Sequence, residues 1–248
     1  MPRVRAHMVK LRIGYASHDA VKWACVNYHY AKVVPAGAKV SYGVWEDGKF
    51  IGAIIFGPGA NRNMGSPYGL KMNQVCELVR VALTNHKTPV SRILSICLKM
   101  LSKKEPNLKL IVSYADANAG HHGGIYQACG WTYVGESAST KKYMIKGVLR
   151  HPKGVDDLLL RKGYASTIEN IRRYIDSSAQ IIIHKPKHKY LYAVSEDMRR
   201  KVSMLAKPYP KRLSSTCVTS AESGTAAIHA AGGGANPTVM LNEEGGEG

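Results

Sequence analysis

Apolar and polar positions change period several times along the chain, and each change marks an element. Leu11–Tyr15 reads as a short strand. Ser17 stands before a stretch with helical spacing that runs through Trp23 to about Tyr28, and its side-chain oxygen can take an orphan amide at the helix start. KVSYGVWEDGKFIGAIIFGPG alternates on both sides of Asp47-Gly48, so it predicts a hairpin closed by a tight turn with positive φ. VCELVRVAL, at about 75–83, is a third strand. In TPVSRILSICLKMLSKK, Ile93, Ile96, Cys97 and Met100 share one helical face and Pro89 lies near the first turn. LKLIVSYAD is apolar almost to its end and predicts a central strand. GGIYQACG then reads as a short helix, and WTYVGES and KKYMIKGV as two further strands.

The order β, α, β, β, β, α, β, α, β, β places residues 1–150 in the α/β (α+β) class, as a mixed sheet flanked by helices in one three-layer domain. Residues 151–212 are expected to form a basic C-terminal extension. In it IENIRRYI looks helical, KYLYAV looks like a strand, and the basic islands KHK, MRRK and PKR are interleaved with Tyr174, Tyr190, Tyr192 and Tyr209. Such interleaving suits phosphate contacts and base stacking, and equally a solvated face with half-buried tyrosines. Residues 213–248 are rich in Gly, Ala, Ser and Thr and predict a disordered tail.

Charge sharpens this picture. Residues 1–135 carry 17 Lys and Arg against 6 Asp and Glu, residues 136–212 carry 18 against 7, and the tail carries none against 4. A chain of net charge +18 with its positive charge confined to the folded part concentrates polyanions at its surface, so nucleic acid is the leading partner class. No stretch approaches the ~18 consecutive apolar residues of a membrane span, and the N-terminus lacks the apolar core of a secretory signal. Cys25, Cys76, Cys97, Cys129 and Cys217 form no metal-spaced pair and are odd in number. Reduced thiols in a cytoplasm are expected.

The stretch SYADANAGHHGGIYQACGW, residues 113–131, puts a carboxylate at the end of the central strand and a tyrosine on the next helix. Read locally it stays ambiguous, because Asp, Asn and Gly are what any strand-to-helix turn prefers. Glu77 and Arg80 stand three apart on a predicted strand, so their side chains are expected on opposite faces.

The element order and the run from Leu110 to Glu136 resemble the GNAT acyltransferase superfamily, in which a splayed central strand precedes a helix with the pattern Y-x-x-x-G-F. Here the matching residues are Tyr126 to Trp131. The fuller set is narrower: NYHY at 27–30, FGPG at 56–59, CELVR at 76–80, SYAD at 113–116, HHGGIYQACGW at 121–131 and KHKYLYAV, MRRK and YPKR within 187–212. Together they resemble the Mom family of phage DNA-modification proteins over residues 10 to 212. That resemblance implies a divergent GNAT fold acting on double-stranded DNA in the host cytoplasm. The implied activity is conversion of adenine to N6-carbamoylmethyl-adenine, which protects the DNA from restriction.

Under that resemblance, attack by the weakly nucleophilic adenine amine needs a base, for which Asp116 is the candidate, with a turn cap as its alternative. Tyr126 matches the position of a general acid for the leaving group, with core packing as its alternative. His29 and Tyr30 follow the first helix and are placed across the cleft. If a metal such as iron is present, His29 and Asp116 are its candidate ligands. Arg80 is the candidate phosphate or carbonyl clamp. Flipping the base out of the duplex would use Tyr28, Tyr68 or Trp131 as stacking partners.

The donor segment departs from the superfamily. GNAT proteins hold the pyrophosphate of acetyl-CoA on a glycine-rich loop at a helix start. The equivalent Asn85 to Arg92 has no glycine, and Pro89 removes an amide. Lys87, Ser91 and Arg92, with Ser113 and Tyr114 on the central strand, are the candidate donor-binding residues. The departure puts acetyl-CoA in doubt. The terminal nitrogen of the product that the resemblance implies points instead to glycine activated as an ester, as in glycyl-tRNA, with acetyl-CoA and a later amination left open. Two readings compete with DNA modification: an acetyl-CoA-dependent N-acetyltransferase for a protein or small amine, and a non-catalytic nucleic-acid-binding protein.

Overall fold

Residues 9–59 and 61–211 are described by the computed structural model. The chain runs β1 (Leu11–Tyr15), α1 (His18–Tyr28), β2 (Val40–Glu46), β3 (Lys49–Gly57), β4 (Val75–Leu83), α2 (Val90–Lys104), β5 (Leu110–Ala115), α3 (Gly124–Gln127) and β6 (Thr132–Glu136). It continues through β7 (Thr140–Ile145), β8 (Val148–Arg150), α4 (Pro152–Leu160), α5 (Ile168–Tyr174), β9 (Gln180–His184), β10 (His188–Ala193) and α6 (Glu196–Ser203). The expected tail at 213–248 and Cys217 lie outside the described residues.

Local chemistry explains the first elements. Ser17 accepts the Ala20 amide at 3.2 Å and starts α1. Asp47 and Gly48, at φ 49° and 81°, close the β2–β3 hairpin with the positive dihedrals that this turn needs. α2 buries Ile93, Leu94, Cys97, Leu98 and Leu101. Its core face is therefore rotated from the expected stripe, because Ile96 and Met100 sit at the margin, half-buried.

The main sheet has seven strands in the order β1-β2-β3-β4-β5-β10-β6. Every neighbouring pair is antiparallel except β4 and β5, which run parallel. The mixed α/β architecture expected from the element order is the one observed. One face packs Tyr42, Ile54, Phe56, Cys76, Leu78 and Ile111 against α2. The opposite face packs Ala53, Ile55 and Ala82 against Val21, Ala24 and Cys25 of α1. Farther along that face, Leu110, Val112 and Leu191 meet Met198 and Val202 of α6.

Chain order and spatial order part company at β6. β10, from the segment expected to lie outside the core, fills the place between β5 and β6, so the sheet does not follow a boundary at residue 150. Tyr190, expected on a basic face, is consequently fully buried. Between β6 and β10 the chain builds a second, three-stranded sheet in the order β8-β7-β9. Its own core joins Tyr143 and Ile145 to Val155 and Leu159 of α4 and Ile171 of α5. KKYMIKGV is thus a strand and turn of this insertion. Sequence periodicity predicts the strands, and only long-range pairing assigns them to sheets.

Candidate active site

β4 and β5 pair over three positions, Val75 with Leu110, Cys76 with Ile111 and Glu77 with Val112, and then separate. Beyond Glu77 each strand turns to its other neighbour, and a fork opens between them. Ser113 spans it: its Oγ lies 2.8 Å from the Leu78 carbonyl oxygen and 2.8 Å from Tyr126 Oη. A serine hydroxyl carries one proton, and a carbonyl can only accept. With that proton on the Leu78 carbonyl, the Tyr126 hydroxyl donates to Ser113 Oγ. Burial pushes the Tyr126 phenol up to about 12, against the lowering effect of the Ser113 hydrogen bond.

The glycines before Tyr126 set its place. Gly123 has φ 86°, and a Cβ there would overlap the Tyr190 ring, so the close approach and the left-handed backbone both require glycine. Tyr190 donates to the His122 carbonyl at 2.6 Å and locks the entry to α3. Tyr126 then packs between Trp131 and Tyr190, at ring-centroid distances of 5.2 and 5.0 Å.

A β-bulge changes the other side of the fork. Phe56 pairs with Leu78 and Ile55 with Arg80, so Val79 is the extra residue. The expectation that Glu77 and Arg80 point to opposite faces is overturned, because the bulge resets the alternation and puts both on the α1 side. Arg80 Nη1 donates to the Val79 carbonyl at 2.8 Å, while its buried Nε has no hydrogen-bond partner among the described residues. Its charge reaches His29 and the Cys25 thiol.

His29 and Tyr30 end α1 beside this guanidinium. His29 is buried and its Nδ1 accepts the Ala31 amide at 3.1 Å, which leaves the ring proton on Nε2. Burial, reinforced by Arg80 and His121, lowers its pKa to about 4, so the ring is neutral near pH 7 and offers an N–H donor. Tyr30 is half-exposed, with its ring 4.3 Å from His29 and 5.1 Å from His121. Burial and the nearby Asp116 carboxylate raise its pKa.

Asp116 both caps a turn and faces this group. Its Oδ1 accepts from the Asn118 amide and side chain, each at 3.0 Å, and its Oδ2 lies 3.6 Å from Lys187 Nζ. Burial opposes ionisation, but the Asn118 hydrogen bonds and the Lys187 charge outweigh it and hold the carboxyl below its usual range. Asp116 is therefore ionised near neutrality and, in this arrangement, a weak base. Asn118 also exchanges two hydrogen bonds with the Lys185 backbone, at 3.1 and 3.3 Å, and so ties this loop to the strand returning from the insertion.

The segment entering α2 is closed from within. Glu46, buried at the end of β2, accepts the Lys87 amide at 2.9 Å and the Thr88 amide at 2.6 Å. Burial disfavours its charge, yet those hydrogen bonds and nearby His86 lower its pKa. A carboxylate thus occupies two of the amides in the segment that leads into α2. The Lys87 and Arg92 side chains are exposed, and the Ser91 carbonyl accepts from Cys129 Sγ at 3.8 Å and from Ser95. Sequence reasoning missed Glu46, whose only local signal is a hairpin acid next to Asp47-Gly48.

The fork gathers Arg80, Ser113 and Tyr126, with His29, Tyr30 and Asp116 on the α1 side. Lys87, Ser91 and Arg92 belong to the separate α2 entry. Tyr114 is half-buried, and burial, Glu77 and Tyr68 raise its pKa to about 12. Trp131 is fully buried and cannot stack on a nucleic-acid base, which corrects that expectation, whereas Tyr28 and Tyr68 remain partly accessible. A His29–Asp116 metal pair does not fit either. Nδ1 of His29 and both carboxylate oxygens are engaged, and no three metal-ligating side chains converge among the described residues.

A mixed α/β protein with a forked sheet and a buried phenol at the fork is what these observations define. The chain belongs to the Mom protein family, which it matches over residues 10–211. It is 23% identical over 192 residues to the methylcarbamoylase mom of Escherichia phage Mu, covering 74% of this chain and 76% of that protein. Among solved structures it shows weak likeness to a probable acetyltransferase from Staphylococcus epidermidis, at 10% identity over 76% of this chain and 100% of that one, with a TM-score of 0.41. The spermidine/spermine N-acetyltransferase SpeG from Vibrio cholerae gives 11% identity over 77% and 96%, with a TM-score of 0.42. No helix among the described residues is long and apolar enough to cross a membrane.

Proposed function

We propose that this chain modifies adenine in double-stranded phage DNA by acyl transfer to N6, giving N6-carbamoylmethyl-adenine and protection from host restriction, with a glycyl ester as donor. The observation that carries the reading is the Tyr126–Ser113–Leu78 hydrogen-bond chain across the fork, which holds a protonated phenol where two strands separate. The phage Mu relative, whose name states a methylcarbamoylase activity, supports the product class.

The adenine amine attacks the acyl carbonyl, and its proton passes to Asp116. Arg80 and the Nε2–H of His29 take the developing oxyanion, and Tyr126 protonates the departing oxygen. A protonated phenol at this position can donate to an alkoxide leaving group, which departs poorly as the anion. A thiolate, whose acid has a pKa of about 8.5, departs without such help. Together with the carboxylate that fills the α2 entry, this favours a ribose ester, as in glycyl-tRNA, over acetyl-CoA. The transferred glycyl amine then attacks C6 through a five-membered spiro intermediate. Cleavage of the original C6–N6 bond leaves N6-CH2-CO-NH2, an isomerisation that needs no further reagent.

Purified protein, duplex DNA and tRNA carrying isotope-labelled glycine test the proposal by mass spectrometry of the nucleosides. Label in the modified adenine is expected. A new adenosine derivative without label would remove glycine as donor, and no derivative under any donor would remove the enzymatic reading.

A further inference from the structure

The strand returning from the insertion carries KPKHK, Lys185 to Lys189, past the Asp116 loop. Its backbone is fixed: the Lys187 amide donates to Ser137 Oγ at 3.0 Å, and the Ser137 amide donates to the Lys187 carbonyl at 2.8 Å. In β10, His188 pairs with Ala115 and Lys189 with Tyr114. Continuing that register places Lys187 opposite Asp116, and Lys187 and Lys189 on one face about 7 Å apart. Lys189 Nζ stands 5.2 Å from the centre of the partly accessible Tyr68 ring. The Lys187 side chain is 45% exposed, against 17% for Asp116. One end of this ion pair therefore faces solvent and the other faces the fork.

We propose that Lys187 and Lys189 are a contact for the phosphodiester backbone of nucleic acid, and that a phosphate taking Lys187 releases the Asp116 carboxylate to act as base. The inference rests on the DNA reading above. Two cations at strand spacing beside an accessible aromatic ring suit successive phosphates and a neighbouring sugar or base. The Lys187–Asp116 separation of 3.6 Å is longer than a strong charge-assisted hydrogen bond, so the ammonium is not locked to the carboxylate.

The groups facing Asp116 are Lys187, Tyr30, Asn118 and His184. His184 feels Lys142, Asp116 and Lys187 together. Removal of Lys187 leaves the Asn118 hydrogen bonds, so the loop keeps its shape while the carboxylate loses its compensating cation. Lys187 is one of the causes that hold the Asp116 carboxyl low, so its diversion strengthens the base when substrate is bound. Asp116 otherwise stays weakly basic.

The test uses the full chain, a short DNA duplex, and the variants Lys187→Gln with Lys189→Gln, and Lys187→Arg. The double variant is expected to reduce the slope of log affinity against log salt by about 2, while Lys187→Arg, which keeps the cation, retains it. Carbon-detected titration of the Asp116 carboxyl is expected to show a higher midpoint with duplex than without. In the double variant the midpoint is already raised, and duplex adds little. Normal duplex binding with an unchanged slope in the double variant, or an Asp116 midpoint indifferent to duplex, overturns this inference alone. Failure of the wild-type chain to bind any duplex overturns both this inference and the DNA reading. Matching melting temperatures show that the variants fold.

Discussion

The fork between β4 and β5 and the segment that enters α2 are finished in opposite ways. At the fork the strands stop pairing, and the gap is bridged by one serine and one phenol, with a buried guanidinium nitrogen that has no hydrogen-bond partner among the described residues. Before α2 the Lys87 and Thr88 amides are taken up by Glu46, a carboxylate from another strand, at 2.9 and 2.6 Å. The first keeps polar capacity in reserve and the second has spent it. Unpaired polar groups cost stability, so their retention at one site and removal at the other separates a place kept for a ligand from one made structural.

Three sets of substitutions put that contrast to the test. The largest expected effect is at the fork. Tyr126→Phe removes the donor while leaving Ser113 bonded to Leu78, and it should reduce formation of the modified nucleoside about 10²- to 10⁴-fold while costing only about 1 kcal/mol of stability. A variant as active as the wild type by nucleoside mass spectrometry would return Tyr126 to the core as a packing residue.

The α2 entry should answer the other way. Glu46→Ala strands the Lys87 and Thr88 amides and is expected to cost about 2–4 kcal/mol in urea unfolding. Because the folded-state pKa of Glu46 is depressed, its contribution is present above an unfolded value of about 4.3 and is lost as pH falls through the lower folded value. Wild type and Glu46→Gln should therefore differ most near neutrality and converge in acid. A constant difference across that range would show that its charge is not what holds the segment.

The smallest effect belongs to the exposed cations of the same entry. Lys87→Ala with Arg92→Ala should change stability by no more than about 0.5 kcal/mol and leave product formation within a few-fold of wild type. A large rise in KM for the acyl donor would instead restore this segment as the donor's anchor.

Much of the fold was legible along the chain. Ser17, Asp47-Gly48 and the apolar periods locate the first helix, the hairpin and the strands, because each depends on residues a few positions apart. The site was legible in part. SYAD and the Tyr126 helix are one continuous stretch, and its glycines explain the turn. The expected split of Glu77 from Arg80 failed because the Val79 bulge arises from pairing with β3, and no residue near Val79 announces an extra position. Trp131 looked accessible because aromatic residues after a short helix serve equally as core or as platform, and burial decides between them. Glu46 carries only the local signal of a hairpin acid. Its partners lie 41 and 42 residues away, and an acid before Asp-Gly reads as turn chemistry.

The mixed class, the basic surface and the local identity of the strand-to-helix junction follow from residues close together in the chain, since propensity, charge and turn dihedrals are properties of neighbours. Only the tertiary structure decided that β10 enters the sheet between β5 and β6, that Lys187 faces Asp116, and that a distant glutamate closes the α2 entry. Those outcomes depend on which unsatisfied backbone edge, ion or amide finds a partner far along the chain. Such pairing is fixed when the whole sheet closes around its core, and no window of sequence contains both partners.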